Sequence, residues 1–165
     1  MFIIEGCDGT FKTTVANKLS KKLKIPVIKG SSFELATGTN KQLYEHFKTL
    51  SKIRNVIFDR YIYSNRVYAT LFPKYTILTN EQRSHIEDII RNHAAIIYLK
   101  ANPDIIIERI RIRGDKFINE SQIDDILNMY NKAISDAILN KMKVFTYDTN
   151  KLSSDEIVKE ILKIK

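Results

Sequence analysis

The chain has a single cysteine, Cys7, among its 165 residues, which excludes an intramolecular disulfide and fits a reducing compartment. No apolar run approaches the roughly 18 residues that span a membrane, and the N-terminus lacks the basic and apolar segments of a secretory signal. Internal repeats, low-complexity tracts and interdomain linkers are also missing. We therefore expect a cytoplasmic protein without a membrane partner, folded as one domain over residues 1–165.

Lysine and arginine outnumber aspartate and glutamate by 27 to 19, which gives a net charge of +8. Such a balance suits a polyanionic partner, either nucleic acid or the phosphates of a nucleotide. The lysines are spread along nearly every predicted helix and do not form one block, which is typical of a solvated surface. The charge therefore does not by itself predict nucleic-acid binding.

Short apolar runs alternate with helical patterns along the chain. Strands that are buried on both faces and separated by helices are typical of a parallel α/β sheet. Ligands of such sheets bind beyond the carboxyl ends of the strands, so the loops after the first four strands are predicted to line the site. The predicted strands cover 2–5, 26–29, 55–59, 94–99 and 143–147, and the predicted helices cover 13–23, 41–53, 60–71, 80–92, a helix opening at Asn102-Pro103, 121–140 and 154–164.

The first strand leads into a phosphate-binding pattern, with Gly6, Lys12 and Thr13 at the spacing G-x-x-x-x-G-K-[ST]. The pattern predicts a nucleoside triphosphate as ligand, with Lys12 beside its β- and γ-phosphates and Thr13 on Mg²⁺. Phe11 stands in place of the second glycine, and phenylalanine adopts positive φ poorly. Either the loop tolerates Phe11 with its ring turned away, or nucleotide affinity has decayed. The predicted phosphate-binding residues are Gly6, Gly9, Thr10, Phe11, Lys12, Thr13 and Thr14.

The third predicted strand ends on Asp59-Arg60, over the same crevice as the phosphate-binding pattern. A guanidinium can hold a phosphate through two parallel hydrogen bonds, and a carboxylate can hold Mg²⁺ or its waters. We therefore predict that Arg60 binds a phosphate and that Asp59 joins Thr13 at the metal; the alternative is a structural ion pair that caps the sheet.

Three segments together resemble the thymidylate kinase family and its deoxynucleoside kinase relatives. Residues 2–14 are similar to the family's strand followed by E-G-x-D-G-x-G-K-T-T, residues 59–68 to D-R-Y-x-x-S-x-x-A-Y, and residues 102–115 to the segment P-x-x-x-x-x-R-x-x-x-R-x that enters the lid. The resemblance implies a three-layer P-loop kinase fold, with five parallel strands in the order 2-3-1-4-5 and a small helical lid at about 111–120. It also implies ATP and a deoxynucleoside monophosphate as substrates, and a possible homodimer.

The resemblance further implies roles for individual residues at the acceptor. Asp8 would meet the 3′-hydroxyl of the sugar, and Arg60 would hold the acceptor phosphate. Asn65 would meet the edge of the base, and Tyr68 the 2′ position, where an aromatic ring favours deoxyribose. The predicted acceptor-binding residues are Asp8, Glu34, Arg60, Tyr61, Asn65 and Tyr68.

Arg109, Arg111 and Arg113 alternate at the entrance to the lid. Lid arginines of this family stabilise the transferring phosphoryl group, whereas a solvated helix face is the simpler interpretation. On a continuous helix the three side chains would spread over about 200°, so not all of them would reach one phosphate. Arg109 and Arg113 are the two that we predict to stabilise the transferring phosphoryl group. The predicted catalytic residues are Lys12, Arg60, Arg109 and Arg113.

The residues leave the identity of the acceptor open. A nucleoside kinase must deprotonate a 5′-hydroxyl and needs a carboxylate base, for which Glu34 is the candidate. A monophosphate kinase attacks with an oxygen that is already anionic and needs cations instead. Asp8, Arg60 and the lid arginines favour a deoxynucleoside monophosphate kinase, foremost dTMP to dTDP, with a deoxynucleoside kinase as the alternative. Phe11 and the short acceptor region, with only 46 residues between Lys12 and Asp59, motivate a second alternative, a nucleotide- or nucleic-acid-binding protein without catalysis.

Overall fold

The computed structural model describes residues 1–31, 37–114 and 119–164. Its centre is a five-stranded parallel sheet in the order β2-β3-β1-β4-β5, which confirms the expected topology. In the register of the sheet, Phe2 pairs with Ile57 on one side and with Ala95 on the other. The strands are β1 (Phe2–Glu5), β2 (Val27–Ile28), β3 (Ile57–Asp59), β4 (Ala95–Lys100) and β5 (Lys143–Asp148).

The helices begin and end close to their predicted bounds. Thr79 and Ser153 cap their helices as reciprocal capping boxes, which confirms the N-termini predicted from the sequence. Strand β3 starts two residues later than predicted, because Asn55 has a φ of 54° and turns the chain before the strand begins. The helices are α1 (Lys12–Leu23), α2 (Asn40–Leu50), α3 (Ile62–Leu71), α4 (Asn80–Ile90), α5 (Pro103–Arg113), α6 (Ile123–Leu139) and α7 (Ser154–Ile161).

Each face of the sheet has its own apolar core, because successive side chains of a strand point to opposite faces. Ile3 is fully buried in the core that the sheet shares with α2, α3, α4 and α6. The next residue, Ile4, is fully buried in the core shared with α1 and α7. A sheet between two helical layers is the three-layer α/β architecture expected from the sequence.

The predicted lid at 111–120 is described at its two ends. Helix α5 runs to Arg113 and ends at Gly114, whose φ of 69° suits a glycine. A 3₁₀ turn at Glu120–Gln122 leads into α6, and residues 115–118 lie outside the described residues. Among the helices that the structure describes, none is long and apolar enough to cross a bilayer.

Candidate active site

An open cleft of about 740 Å³ lies at the carboxyl ends of β1, β2 and β3, the edge where the sequence placed the ligand. Most of the residues predicted for the site line this cleft, and Lys29, Ser31 and Ile112 join them. The predicted residues that the cleft brings together are Asp8, Gly9, Phe11, Lys12, Thr13, Thr14, Asp59, Arg60, Arg109 and Arg113.

The phosphate loop, residues 6–11, is held from its interior. Gly6 allows the loop to leave β1, because a Cβ there would lie 2.2 Å from the carbonyl oxygen of Leu99. Thr10 Oγ1 donates a 2.7 Å hydrogen bond to the carbonyl oxygen of Cys7. Cys7 itself is fully buried, and burial raises the pKa of its thiol to about 11. Cys7 therefore stays a thiol at neutral pH and fills the loop from within.

Lys12 begins α1 and points back into the loop. Its Nζ donates a 2.6 Å hydrogen bond to the carbonyl oxygen of Cys7 and lies 3.5 Å from Asp8 Oδ1. Burial, together with the neighbouring charge of Arg60, lowers the pKa of Lys12. A triphosphate in the cleft would supply the anion that favours the charged form of this lysine.

Thr13 and Asp59 lie together, as predicted for a metal site. Thr13 Oγ1 donates a 2.6 Å hydrogen bond to Asp59 Oδ2, while Asp59 Oδ1 is buried without a hydrogen-bond partner among the described residues. The described residues contain no cluster of three His, Cys, Asp or Glu side chains that could hold a metal. Mg²⁺ bound with a nucleotide needs only one or two protein ligands, because phosphates and water complete its shell, so the pair fits this ion.

Asp8 and Arg60 line the cleft, and Tyr68 contacts both of them. The Arg60 guanidinium makes an ion pair with Asp8 Oδ1, and Tyr68 donates its hydroxyl to Asp8 Oδ2 at 2.9 Å. The same guanidinium lies over the Tyr68 ring, with Cζ 4.8 Å from the ring centroid. The three side chains that the resemblance assigned to the acceptor therefore contact one another.

The charges around Asp8 set its protonation state. Burial alone raises the pKa of a carboxyl, but the positive charges of Lys12 and Arg60 outweigh burial here and hold the pKa of Asp8 below its usual value. A carboxylate with a lowered pKa is a weak general base. Asp8 is therefore suited to hold Arg60 and to accept hydrogen bonds, and poorly suited to deprotonate a hydroxyl.

The loop after β2 packs directly onto Arg60. A Cβ on Gly30 would lie 2.3 Å from the carbonyl oxygen of Arg60, so only glycine allows this approach. Lys29 and Ser31, on either side of Gly30, consequently line the cleft. Glu34, the candidate base of the same loop, lies outside the described residues. The charge that the described part of this loop brings to the cleft is thus the positive charge of Lys29.

A buried polar network behind Arg60 was missed by the sequence analysis. Glu5, at the end of β1, accepts hydrogen bonds from the backbone N–H groups of Tyr61 and Ser64, and its other oxygen bonds the Ser64 hydroxyl. Ser64 Oγ lies 2.8 Å from the Tyr130 hydroxyl, to which Arg60 Nη1 donates at 3.3 Å. Burial raises the pKa of Glu5. The network links Arg60 to α6 and to the first strand.

Two residues predicted to bind the acceptor have other partners. Tyr61 is fully buried, donates its hydroxyl to the carbonyl oxygen of Phe47, and stacks on Phe58. The Asn65 side-chain amide donates to the carbonyl oxygen of Thr76 and accepts from the N–H of Leu78. These bonds hold the amide of Asn65 in place, and both side chains are buried, so the geometry of both suits packing.

The three arginines of α5 separate as helical geometry requires. Arg109 and Arg113, four residues apart, line the cleft, whereas Arg111 points away and pairs with Glu120 on the surface. Arg109 Nη1 donates to the carbonyl oxygen of Gly9 at 3.0 Å, which docks α5 onto the phosphate loop. Arg109 and Arg113 thus share one face of α5. Their role in stabilising the transferring phosphoryl group stays a prediction.

The sequence and the fold of this chain are similar to those of known proteins. The deoxynucleoside kinase family model matches residues 28–164. The chain is 50% identical over 162 residues to the SPbeta prophage-derived uncharacterized protein YorR of Bacillus subtilis, covering 98% of this chain and 96% of that protein. The crystal structure of YorR in complex with phosphorylated GDP has a TM-score of 0.92 against this structure, covering 98% and 92% of the two chains.

Two enzymes show weaker similarity. The deoxyguanosine kinase of Bacillus subtilis is 31% identical over 160 residues, which cover 79% of this chain and 76% of the enzyme. The thymidylate kinase of Leptospira borgpetersenii is 28% identical over a gapped alignment of 199 positions, which covers 98% of this chain and 91% of the enzyme. The similarity therefore extends to enzymes that phosphorylate a deoxynucleoside and to enzymes that phosphorylate its monophosphate.

Proposed function

The chain belongs to the deoxynucleoside kinase family of phosphotransferases, and we propose that it transfers the γ-phosphoryl group of ATP to a deoxynucleoside monophosphate. The observation that carries the choice of acceptor is that two further cations, Arg60 and Lys29, line the cleft together with Lys12. The similarity to thymidylate kinase supports dTMP as the first acceptor to test. The YorR complex supports guanine nucleotides as the next acceptors to test.

The reaction joins two anions, so its main requirement is positive charge that brings them together. Arg60 would hold the acceptor phosphate, and Lys12 would neutralise the transferring group. No proton has to be removed from a phosphate oxygen, so the lowered pKa of Asp8 is no disadvantage. The ion pair with Arg60 suits Asp8 to orient that guanidinium and the sugar.

Mg²⁺ is part of the proposal. Thr13 and Asp59 would hold it, since the buried Asp59 Oδ1 is available as a ligand. Bound there with ATP, the ion would neutralise part of the negative charge of the phosphates.

A deoxynucleoside kinase is the second candidate. The family match and the similarity to deoxyguanosine kinase favour it. This activity needs a carboxylate that can accept the proton of a 5′-hydroxyl. Among the described residues that line the cleft, the carboxylates are Asp8, with its lowered pKa, and Asp59, beside Thr13. Glu34 is the base that this candidate requires.

A substrate panel tests the proposal. The protein is incubated with ATP, Mg²⁺ and each of dTMP, dGMP, dAMP and dCMP, or with the corresponding deoxynucleosides, and ADP release is measured. We expect turnover of about 1–100 per second on at least one monophosphate, with kcat/KM at least about tenfold lower on its deoxynucleoside. Turnover on deoxynucleosides alone would favour the second candidate. ADP release at background with every acceptor would indicate a nucleotide-binding protein without catalysis.

Charge reversal at Lys29 separates the two acceptors. In Lys29→Glu the acceptor phosphate meets a negative charge at the end of β2, so we expect its KM to rise about tenfold, equivalent to about 1.4 kcal/mol. The KM for ATP and the activity on any accepted deoxynucleoside should change less than about twofold. Lys29→Gln removes the charge without reversing it, so its KM for the monophosphate should lie between those of the parent and Lys29→Glu. An unchanged KM for the monophosphate in Lys29→Glu would contradict an anionic acceptor at this position.

A further inference from the structure

Phe11 has a backbone conformation that phenylalanine rarely adopts. Its φ of 64° and ψ of 17° lie in the left-handed region, where the Cβ of an L-residue is strained and glycine is not. The family pattern has glycine at this position, so the chain carries a strain that one substitution would remove. A strained residue beside a binding cleft indicates that its side chain contributes something there.

The Phe11 ring packs against Arg109. The guanidinium Cζ lies 4.1 Å from the ring centroid, a distance typical of a cation–π contact. Arg109 also donates from Nη1 to Thr149 Oγ1 at 2.9 Å and from Nη2 to the Thr149 carbonyl oxygen at 2.8 Å. With the bond to the Gly9 carbonyl oxygen, three N–H groups of the guanidinium are fixed by the loops on either side, and one face is covered by Phe11.

Phe11 and Arg109 lie in the donor half of the cleft, the part beside the phosphate loop that would hold the triphosphate. Phe11 and Arg109 line it together with Lys12, Thr13 and Thr14, the residues that begin α1. An arginine side chain that nothing held would lose many rotamers on binding a ligand. A ring that holds the guanidinium beside the phosphate loop before ATP arrives reduces that cost.

We propose that Phe11 is a positioning residue of the donor site, whose ring holds the Arg109 guanidinium beside the phosphate loop and thereby tightens ATP binding. The inference rests on the proposed function only in taking ATP as the donor. Phe11 thus improves nucleotide affinity at the expense of stability, the reverse of a decayed phosphate loop.

The test compares Phe11→Gly with Lys24→Gly. Lys24 has a φ of 56° at the other end of α1 and is exposed, so Lys24→Gly removes the same kind of strain away from the cleft. The affinity for ATP·Mg²⁺ is measured by calorimetric titration without acceptor, and the denaturation midpoint is measured without nucleotide. Both variants should have a raised midpoint. Phe11→Gly should weaken ATP binding about five- to tenfold, and Lys24→Gly should leave it within twofold of the parent.

Two further variants identify the contact. Phe11→Tyr keeps an aromatic face and should bind ATP like the parent, whereas Phe11→Leu should bind as weakly as Phe11→Gly. In an Arg109→Gln background, Phe11→Gly should have no further effect on affinity, because the guanidinium is already gone. Tighter or unchanged ATP binding by Phe11→Gly would overturn the proposal, as would a parent protein that binds no ATP. ATP binding without turnover on any acceptor would overturn the proposed function alone, since the titration still decides the role of Phe11.

Discussion

Replacing Arg60 by alanine is expected to lower kcat/KM for the monophosphate acceptor by at least about 100-fold. In the proposed reaction Arg60 holds the acceptor phosphate, and in the structure it pairs with Asp8, so its removal takes a positive charge away from both. The KM for ATP should change much less, because the phosphate loop and Lys12 do not depend on Arg60 for a hydrogen bond. Steady-state kinetics with each substrate varied in turn measures this difference.

Arg91→Ala is the matched control for this substitution. Arg91 also pairs with an aspartate, Asp88, but at the end of α4, on the edge of the sheet opposite the cleft. Its loss should leave both KM values and kcat within about twofold, as for a surface ion pair. An Arg60→Ala variant that retained more than a third of the parent kcat/KM for the acceptor would contradict the role assigned to Arg60.

Arg60→Ala should also alter the pH dependence of the unfolding free energy. The pKa of Asp8 is lower in the folded protein than in the unfolded chain, so its contribution to stability is present above the ordinary carboxyl pKa of about 3.9 and is lost as the pH falls. Arg60 is one of the two cations that lower this pKa. The difference in unfolding free energy between the parent and Arg60→Ala should therefore be larger at pH 7 than at pH 3.

Lys12→Met is expected to reduce kcat by about 1000-fold while leaving the ligand-free protein as stable as the parent or more stable. Methionine fills the volume of the lysine stem without its charge. The charge is disfavoured in the ligand-free cleft, since burial and Arg60 lower the pKa of Lys12. Asp8 retains Arg60 and Tyr68, so the substitution leaves no buried charge without a partner. Kinetics and the denaturation midpoint together test these opposite effects.

Lys18→Met is the control on the same helix. Lys18 pairs with Asp155 and Ser154 at the surface of α1, so its loss should alter neither ATP binding nor kcat by more than about twofold. If Lys12→Met kept a tenth or more of the parent kcat, Lys12 would not be the residue that neutralises the transferring phosphoryl group.

The fold and the donor half of the cleft were predictable from the sequence because their signals are local. The glycines, Lys12 and Thr13 occupy one short segment between a strand and a helix, and a parallel sheet brings the strand ends to one edge. The spacing of Arg109 and Arg113 was enough to place them on one face of α5. These inferences need only the period of a helix and the direction of a strand.

The acceptor half could not be predicted to the same depth. Tyr61 and Tyr68 belong to one motif, but the backbone turns at Arg60, whose φ is 70°, and directs Tyr61 into the core and Tyr68 to Asp8. Nothing in the order of residues 59–68 reveals that turn. Tyr130 reaches the Arg60 network from α6 at the spacing of an ordinary core residue, between Ile126 and Ile134. Contacts between residues so far apart in sequence depend on tertiary packing, which no local pattern encodes.

Glu5 links the part of the cleft around Arg60 to the first strand of the sheet through the N-terminus of α3. Among the described residues, the N-terminus of α3 receives no cap from its own N-cap side chain, and the donors of its first turn bond Glu5 of β1 instead. A chain in which α3 has formed but β1 has not paired therefore has an uncapped helix. It also lacks the Glu5 carboxylate at one end of the hydrogen-bond network that reaches Arg60. The part of the cleft around Arg60 therefore depends on the centre of the sheet, and a ligand that binds only the folded cleft stabilises both.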